Sequence, residues 1–276
     1  MKISGRGAVD SFLILEAFRE AKALERDGKD MIHLTLGQPG REAPEPVLQK
    51  LAQMIQTQPL GYTESPGWLP LRQRIVGFYQ ERYGIELPLE RVFITVGSSA
   101  AFFMSMIAAF EAGDRVAIAQ PCYPAYPNMM KALNLTPVLL RGTKESHFQP
   151  TVEMLKALPQ KPDGLVIASP SNPSGTVLAI HELERLAAYC EAEGIRLISD
   201  EIYHGVTYGA PTQSLAALSD CGIVVNSFSK YFLLPGWRLG WTVMAEDLVE
   251  SFSALSQNFF ISPSAIGQYA ALETFN

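Results

Sequence analysis

Between residues 9 and 27, Phe12, Leu15, Phe18, Ala21 and Leu24 recur every three positions, which predicts a helix with one apolar stripe. The next apolar run, Met31 to Leu36, is short and stops at Gly37-Gln38-Pro39-Gly40. It predicts a strand ended by a turn. Helices are expected near 45–56 and 68–83, on either side of the loop Gly61-Tyr62-Thr63-Glu64-Ser65-Pro66-Gly67. Beyond it, strands and helices alternate. Strands are expected at 92–96, 115–119, 136–140, 164–169, 195–199, 222–226 and 239–244, and helices near 98–111, 124–134, 151–158, 180–193, 246–258 and 263–274.

These strands are short, rich in Val, Ile and Leu, and apolar on both faces, as strands of a sheet covered on both sides must be. Their alternation with helices predicts an α/β fold: a three-layer α/β/α arrangement around a mostly parallel, seven-stranded sheet. Ligands of such sheets sit beyond the carboxyl ends of the strands. The chemistry of the chain is therefore to be sought at those ends.

Composition narrows the class. A chain of 276 residues with 47% hydrophobic and 18% charged residues can bury a large core, as one big domain or a domain with a smaller appendage. A net charge of −6 offers no electrostatic footprint for nucleic acid or an anionic membrane. Cys122, Cys190 and Cys221 lack metal-ligand spacing and make no disulfide framework, and only four histidines are present, so no metal site is expected. The chain has no run of 18 apolar residues and no apolar leader after Met1, which makes a reducing cytoplasm the expectation.

Four strand ends carry candidate chemistry. The strand at 92–96 runs into Gly97-Ser98-Ser99 at the start of a helix, where free N–H groups and hydroxyls suit an anion; simple capping is the plainer reading. The strand ending at Ser169 leads to Pro170-Ser171-Asn172-Pro173-Ser174-Gly175, a turn that fixes one side-chain amide. The strand ending at Ser199 leads to Asp200-Glu201-Ile202-Tyr203. A carboxylate there is costly to bury unless a cation meets it, and a pyridinium nitrogen is such a cation. The strand ending at Asn226 leads to Ser227-Phe228-Ser229-Lys230, with Arg238 after a Pro235-Gly236 turn. A lysine beside a buried strand and a second cation has a depressed pKa, and its free amine forms imines with carbonyl compounds. Hydroxyls and an arginine beside it suit a phosphate. Each motif alone has a plain structural explanation. Together they point to pyridoxal 5'-phosphate, with Tyr123, after the strand at 115–119, available to stack on a flat ring.

From about residue 9 to its last residue the chain resembles the class I/II aminotransferases of the fold-type I pyridoxal-phosphate enzymes. The resemblance rests on Asn172-Pro173-Ser174-Gly175, on Asp200-Glu201-Ile202-Tyr203, and on Ser227-Phe228-Ser229-Lys230 followed by Gly236-Trp237-Arg238-Leu239-Gly240. It implies that Lys230 is the imine-forming lysine and proton shuttle, that Asp200 holds the pyridine nitrogen, and that Asn172 and Tyr203 bond the phenolic oxygen. It further implies that Tyr123 stacks on the ring and that Gly97, Ser98, Ser99, Ser227, Ser229 and Arg238 form the phosphate cup. Tyr62 would reach the phosphate of the other subunit, which implies a homodimer with shared sites. Gly37 and Asn172 would lie near the substrate's α-carboxylate. The implied reaction moves an amino group between an L-amino acid and a 2-oxo acid in a ping-pong cycle.

The resemblance also implies an organisation: residues 1–44 as an arm and helix contributing to a small domain, and 45–276 as the large cofactor-binding domain. Family members usually continue further and carry there the arginine that clamps the substrate carboxylate, so an incomplete small domain and weak turnover of this chain are expected. The cofactor residues equally suit C–S lysis or decarboxylation, from which only substrate contacts distinguish transamination. A non-catalytic cofactor-binding module is the remaining alternative.

Overall fold

A computed structural model of the chain describes residues 1–275. It opens with α1 (Leu13–Arg26), α2 (Glu45–Thr57) and α3 (Leu69–Tyr83). The alternating part follows as β1 (Val92–Thr95), α4 (Gly97–Ala109), β2 (Arg115–Gln120), α5 (Ala125–Ala132), β3 (Thr136–Arg141), α6 (Val152–Lys156), β4 (Gly164–Ala168), α7 (Ile180–Glu193) and β5 (Arg196–Asp200). It closes with β6 (Ile223–Ser227), β7 (Gly240–Val243), α8 (Val249–Phe260) and α9 (Ala265–Glu273).

The seven strands form one sheet in the order β1-β7-β6-β5-β4-β2-β3. β7 runs antiparallel to both of its neighbours, and the pairings among β2 to β6 are parallel. The carboxyl ends of β1, β4, β5 and β6 therefore share an edge with the start of β7, where Ser227 pairs with Gly240.

Alternation within the strands explains the three layers. Val92, Ile94, Leu165, Ile167, Leu197 and Val224 enter one hydrophobic cluster, together with residues of α2, α3, α7 and α9. Their sequence neighbours Phe93, Val166, Ile198 and Val225 enter a second cluster, with residues of α4, α5 and α8. A pleated strand sends successive side chains to opposite faces, so a strand apolar at every position needs helices on both. Trp241 on β7, fully buried, donates its indole N–H to Tyr79 Oη at 3.2 Å and ties α3 to the sheet.

One expected element is absent. Residues 31–36 form no strand: Ile32 and Leu34 are 82% and 89% exposed, and no strand pairs with them among the described residues. The first helix starts at Leu13 and buries none of its residues fully. The expected helix at 246–258 divides into a 3-10 turn, Glu246–Leu248, and α8. Asp200 and Ser227 prove to be the last residues of their strands, so backbone pairing fixes both.

Candidate active site

A cavity of about 530 Å³ opens over this edge of the sheet. Of the residues expected to bind a cofactor or substrate, Gly37, Ser98, Ser99, Tyr123, Asn172, Asp200, Tyr203, Ser229, Lys230 and Arg238 line it. Gly97 and Ser227 lie just behind the wall, and Tyr62, 84% exposed, stands apart from the cavity.

Lys230 is half-buried. Its Nζ donates to the carbonyl oxygen of Gly37 at 2.7 Å and lies 5.7 Å from the centre of the Tyr203 ring. Burial lowers its pKa, the Arg238 guanidinium lowers it further, and Asp200 opposes both. The net fall favours the free amine that attacks carbonyls.

Asp200 ends β5 and is buried. Oδ1 accepts the Ile202 N–H at 3.1 Å and Oδ2 accepts the Tyr126 hydroxyl. Burial pushes its pKa up to about 6, against the pull of these two donors and of Lys230. A buried carboxylate that remains this basic lacks a strong cationic partner. The Asn172 amide reaches the Tyr203 hydroxyl at 3.5 Å, so the two polar tips meet on one side of the cavity. Burial and nearby Asp200 raise the Tyr203 pKa.

The turn carrying Asn172 is braced from below. Buried Gln149 donates to the carbonyls of Ala168 and Thr176 at 3.1 and 3.0 Å, and Ser169 Oγ accepts the Leu178 N–H at 2.9 Å. Tyr123 projects from the segment after β2 and meets Phe12 edge-to-face at 5.5 Å and Tyr126 at 5.4 Å.

The Arg238 side of the cavity is built by close backbone approach. Gly97 has φ +73°, and a Cβ there would lie 2.6 Å from Arg238 Nη2. A Cβ on Gly240 would lie 2.8 Å from the Ser98 nitrogen. These two glycines let the start of α4 and the Arg238 guanidinium converge, and the first N–H groups of a helix have no partner within it. Arg238 itself sits at φ +52° and donates to Pro235 O at 3.1 Å. Ser227 does not face the cavity; its hydroxyl donates to Leu239 O at 3.2 Å and lies 2.9 Å from Ser229 Oγ, whose hydroxyl can donate to it, orienting Ser229 and the loop.

Tyr126 escaped the sequence reading, although it sits three residues after Tyr123 and the two rings meet at 5.4 Å. Phe12 and Ile14 were also missed as cavity residues. The arm that carries them is fastened to α5, where Lys131 Nζ pairs with Asp10 Oδ2 at 2.7 Å and the Asn128 amide donates to Asp10 O at 3.1 Å.

Residues 29–276 match the family described as Aminotransferase class I and II. The chain belongs to that family. It is 41% identical over 276 residues to a valine–pyruvate aminotransferase of Mycobacterium tuberculosis, covering 99% of this chain and 71% of the relative. Its fold superposes on the crystal structure of an aminotransferase from the same organism with a TM-score of 0.97 at 40% identity, covering 100% of this chain and 72% of that one. The aspartate aminotransferase of Thermus thermophilus with maleate gives a TM-score of 0.94 at 27% identity, covering 100% and 73%.

The protein is therefore a pyridoxal-phosphate-dependent aminotransferase of fold type I, acting on amino-acid and oxo-acid substrates. The residues present fit that cofactor: a buried carboxylate without a strong cationic partner, a lysine with a lowered pKa, and a cradle beside Gly97 that any larger residue would fill.

Proposed function

We propose that Lys230 is the lysine that bonds the cofactor and that Asp200, Asn172, Tyr203, Tyr123 and the Arg238 loop hold it. The observation that carries this reading is the meeting of three unlike groups in one cavity: the Lys230 amine, the Asp200 carboxylate and the Arg238 guanidinium. Asp200 would hold the pyridine nitrogen, Asn172 and Tyr203 the phenolic oxygen, and Tyr123 one face of the ring. The N–H groups after Gly97, with Ser98, Ser99, Ser229 and Arg238, would hold the phosphate, with Ser227 bracing Ser229. When bound, the cofactor supplies an electron sink for the pair left as the substrate's Cα–H bond breaks. Lys230 Nζ would be the base that moves that proton, and burial, which lowers its pKa, favours the free amine that the task needs. The Asp200 charge keeps the ring nitrogen protonated. Gly37 and Asn172 would orient the substrate carboxylate.

The substrate reading is an amino acid with an apolar side chain. Phe12, Ile14, Leu36 and Met129 line the cavity, and the lining residues include no cation besides Lys230 and Arg238 to pair with a second carboxylate. The valine–pyruvate relative supports this choice. Residues 1–44 act as an arm of a smaller domain beside the large domain from 45 onward, and the working form is a cytoplasmic homodimer.

The decisive experiment is chemical. Protein supplied with pyridoxal phosphate should be yellow, and borohydride should fix a pyridoxyl group on the peptide that contains Lys230. A label on any other lysine overturns the assignment.

A further inference from the structure

Asp200 and Tyr203 line the cavity, whereas the residues beside them in the same turn, Glu201 and His204, are buried away from it at 1% and 6% exposure. Glu201 Oε1 accepts the Leu215 N–H at 2.8 Å, and its backbone N–H donates to Val225 O on β6 at 2.8 Å. Glu201 Oε2 is buried with no hydrogen-bond partner. Its His204 neighbour stands 3.6 Å away at Nδ1, which already meets the Tyr83 hydroxyl at 2.7 Å. His204 also bonds the Ser169 backbone, and burial lowers its pKa to about 4, so the ring is neutral.

The groups that face Glu201 from each packed element are Asp200 and His204 on its own turn, Ser199 on β5, Tyr79 and Tyr83 on α3, and Ser214 before Leu215. None is a cation. Arg82 lies instead against the rings of Phe78, Tyr83 and Tyr231. An ionised carboxylate in this place would have only neutral donors, the Leu215 N–H and the Ser214 and Ser199 hydroxyls, and no counter-charge, with a second carboxylate next to it in sequence. A carboxylic acid carries its own proton. Burial accordingly pushes Glu201 up to about 7, and Asp200 adds to the rise.

We propose that Glu201 is a positioning residue, held as a neutral acid, that pins the Asp200–His204 turn from the α3 side and leaves Asp200 as the single anion aimed into the cavity. This rests on the reading of Asp200 as the partner of the ring nitrogen. Glu201 touches neither substrate nor cofactor. It acts by tethering the turn to Leu215 and, below about pH 7, by withholding a second negative charge.

The test uses the holoenzyme carrying Glu201→Gln, Glu201→Ala or Asp200→Asn, and reads the pH at which the bound cofactor's visible band shifts, together with separate kcat and KM values. Glu201→Gln keeps the shape and neutrality of the acid and should match the parent in band, titration and kcat below pH 7. Glu201→Ala releases the tether and should displace the titration and lower kcat on the order of tenfold to a hundredfold with KM little changed. Damage by Glu201→Gln equal to that by Glu201→Ala would show that the charged form matters, and would overturn the proposal. So would parental behaviour in both. If Glu201→Ala does not fold, Glu201→Gln still decides, because denaturation of its cofactor-free form should lose part of the pH dependence between about pH 4.5 and 7; an undiminished dependence overturns the proposal. Asp200→Asn separates the two readings. A normal titration in that variant sinks the ring-nitrogen assignment and this proposal with it. An altered one beside a normal Glu201→Ala sinks this proposal alone.

Discussion

At Asp200 opposing influences act on one carboxyl: burial raises its pKa, while the Tyr126 hydroxyl, the Ile202 N–H and Lys230 lower it. Burial wins, and the same holds at Glu201. The consequence for stability has a definite sign. In the cofactor-free protein Asp200 rises from 3.8 to about 6 and Glu201 from 4.5 to about 7. The folded state thus binds more protons than the unfolded state in this range, and stability is highest in acid and falls as pH rises through both folded values. Every tenfold gain in proton affinity on folding corresponds to about 1.4 kcal/mol. Denaturant midpoints of the cofactor-free protein should therefore decline from pH 4.5 to 7, and a saturating cofactor should remove the Asp200 part of the decline by supplying a cation. Buried His204, lowered to about 4, works in the opposite sense up to about pH 6.5, so the carboxyl contribution is read from the difference between parent and Asp200→Asn or Glu201→Gln profiles. No difference would show that neither carboxyl is held as described. The convergence of Lys230, Asp200, Asn172 and Arg238 on one cavity was legible in the sequence because each follows a strand within a recognisable motif. Tyr126 and Glu201 lay beside recognisable residues yet had no visible role. Their importance comes from partners elsewhere in the chain, Asp200 for one and Leu215 for the other.

Among the elements, the start of α4 and the loop between β6 and β7 depend on one another. Gly97→Ala would strain a left-handed backbone by roughly 1–2 kcal/mol and drive its methyl into the Arg238 guanidinium. Cofactor affinity should then fall roughly tenfold to a hundredfold, the range for losing a charge-assisted phosphate contact. Equilibrium titration with pyridoxal phosphate checks this, and unchanged affinity would place the phosphate elsewhere. The seven strands of the sheet were legible because apolar runs of this length between helices admit few other readings. The segment 31–36 was misread for a physical reason. Alternation of Ile32, Leu34 and Leu36 says which side chains would share a face, but a strand also needs a partner for its backbone, and pattern alone supplies none.

On the scale of the whole molecule, Tyr62 stands outside the cavity of this chain, and Leu60, Phe259 and Ile261 are exposed as well. If Tyr62 serves a second copy's phosphate, Tyr62→Phe should weaken cofactor binding in dimers without changing the fold of the protomer. Sedimentation combined with cofactor titration tests both parts, and a monomer that binds cofactor normally would refute the shared site. The layered architecture was readable from alternation, whereas shared sites were implied only by resemblance, because a single chain's pattern does not reveal what a second chain covers.

The reversed direction of β7 bears on how the site comes together during folding. Because β6 and β7 are antiparallel and joined by one loop, Ser229, Lys230 and Arg238 lie on a single local connection. Closing a short loop sacrifices less chain entropy than closing a long one, and local contacts form early. Asn172 and Asp200 reach the same edge only after separate crossovers through helices are complete. Lys230 and Arg238 are thus brought near each other by one short connection, while Asp200 joins them through the longer-range pairing of β5 with β6.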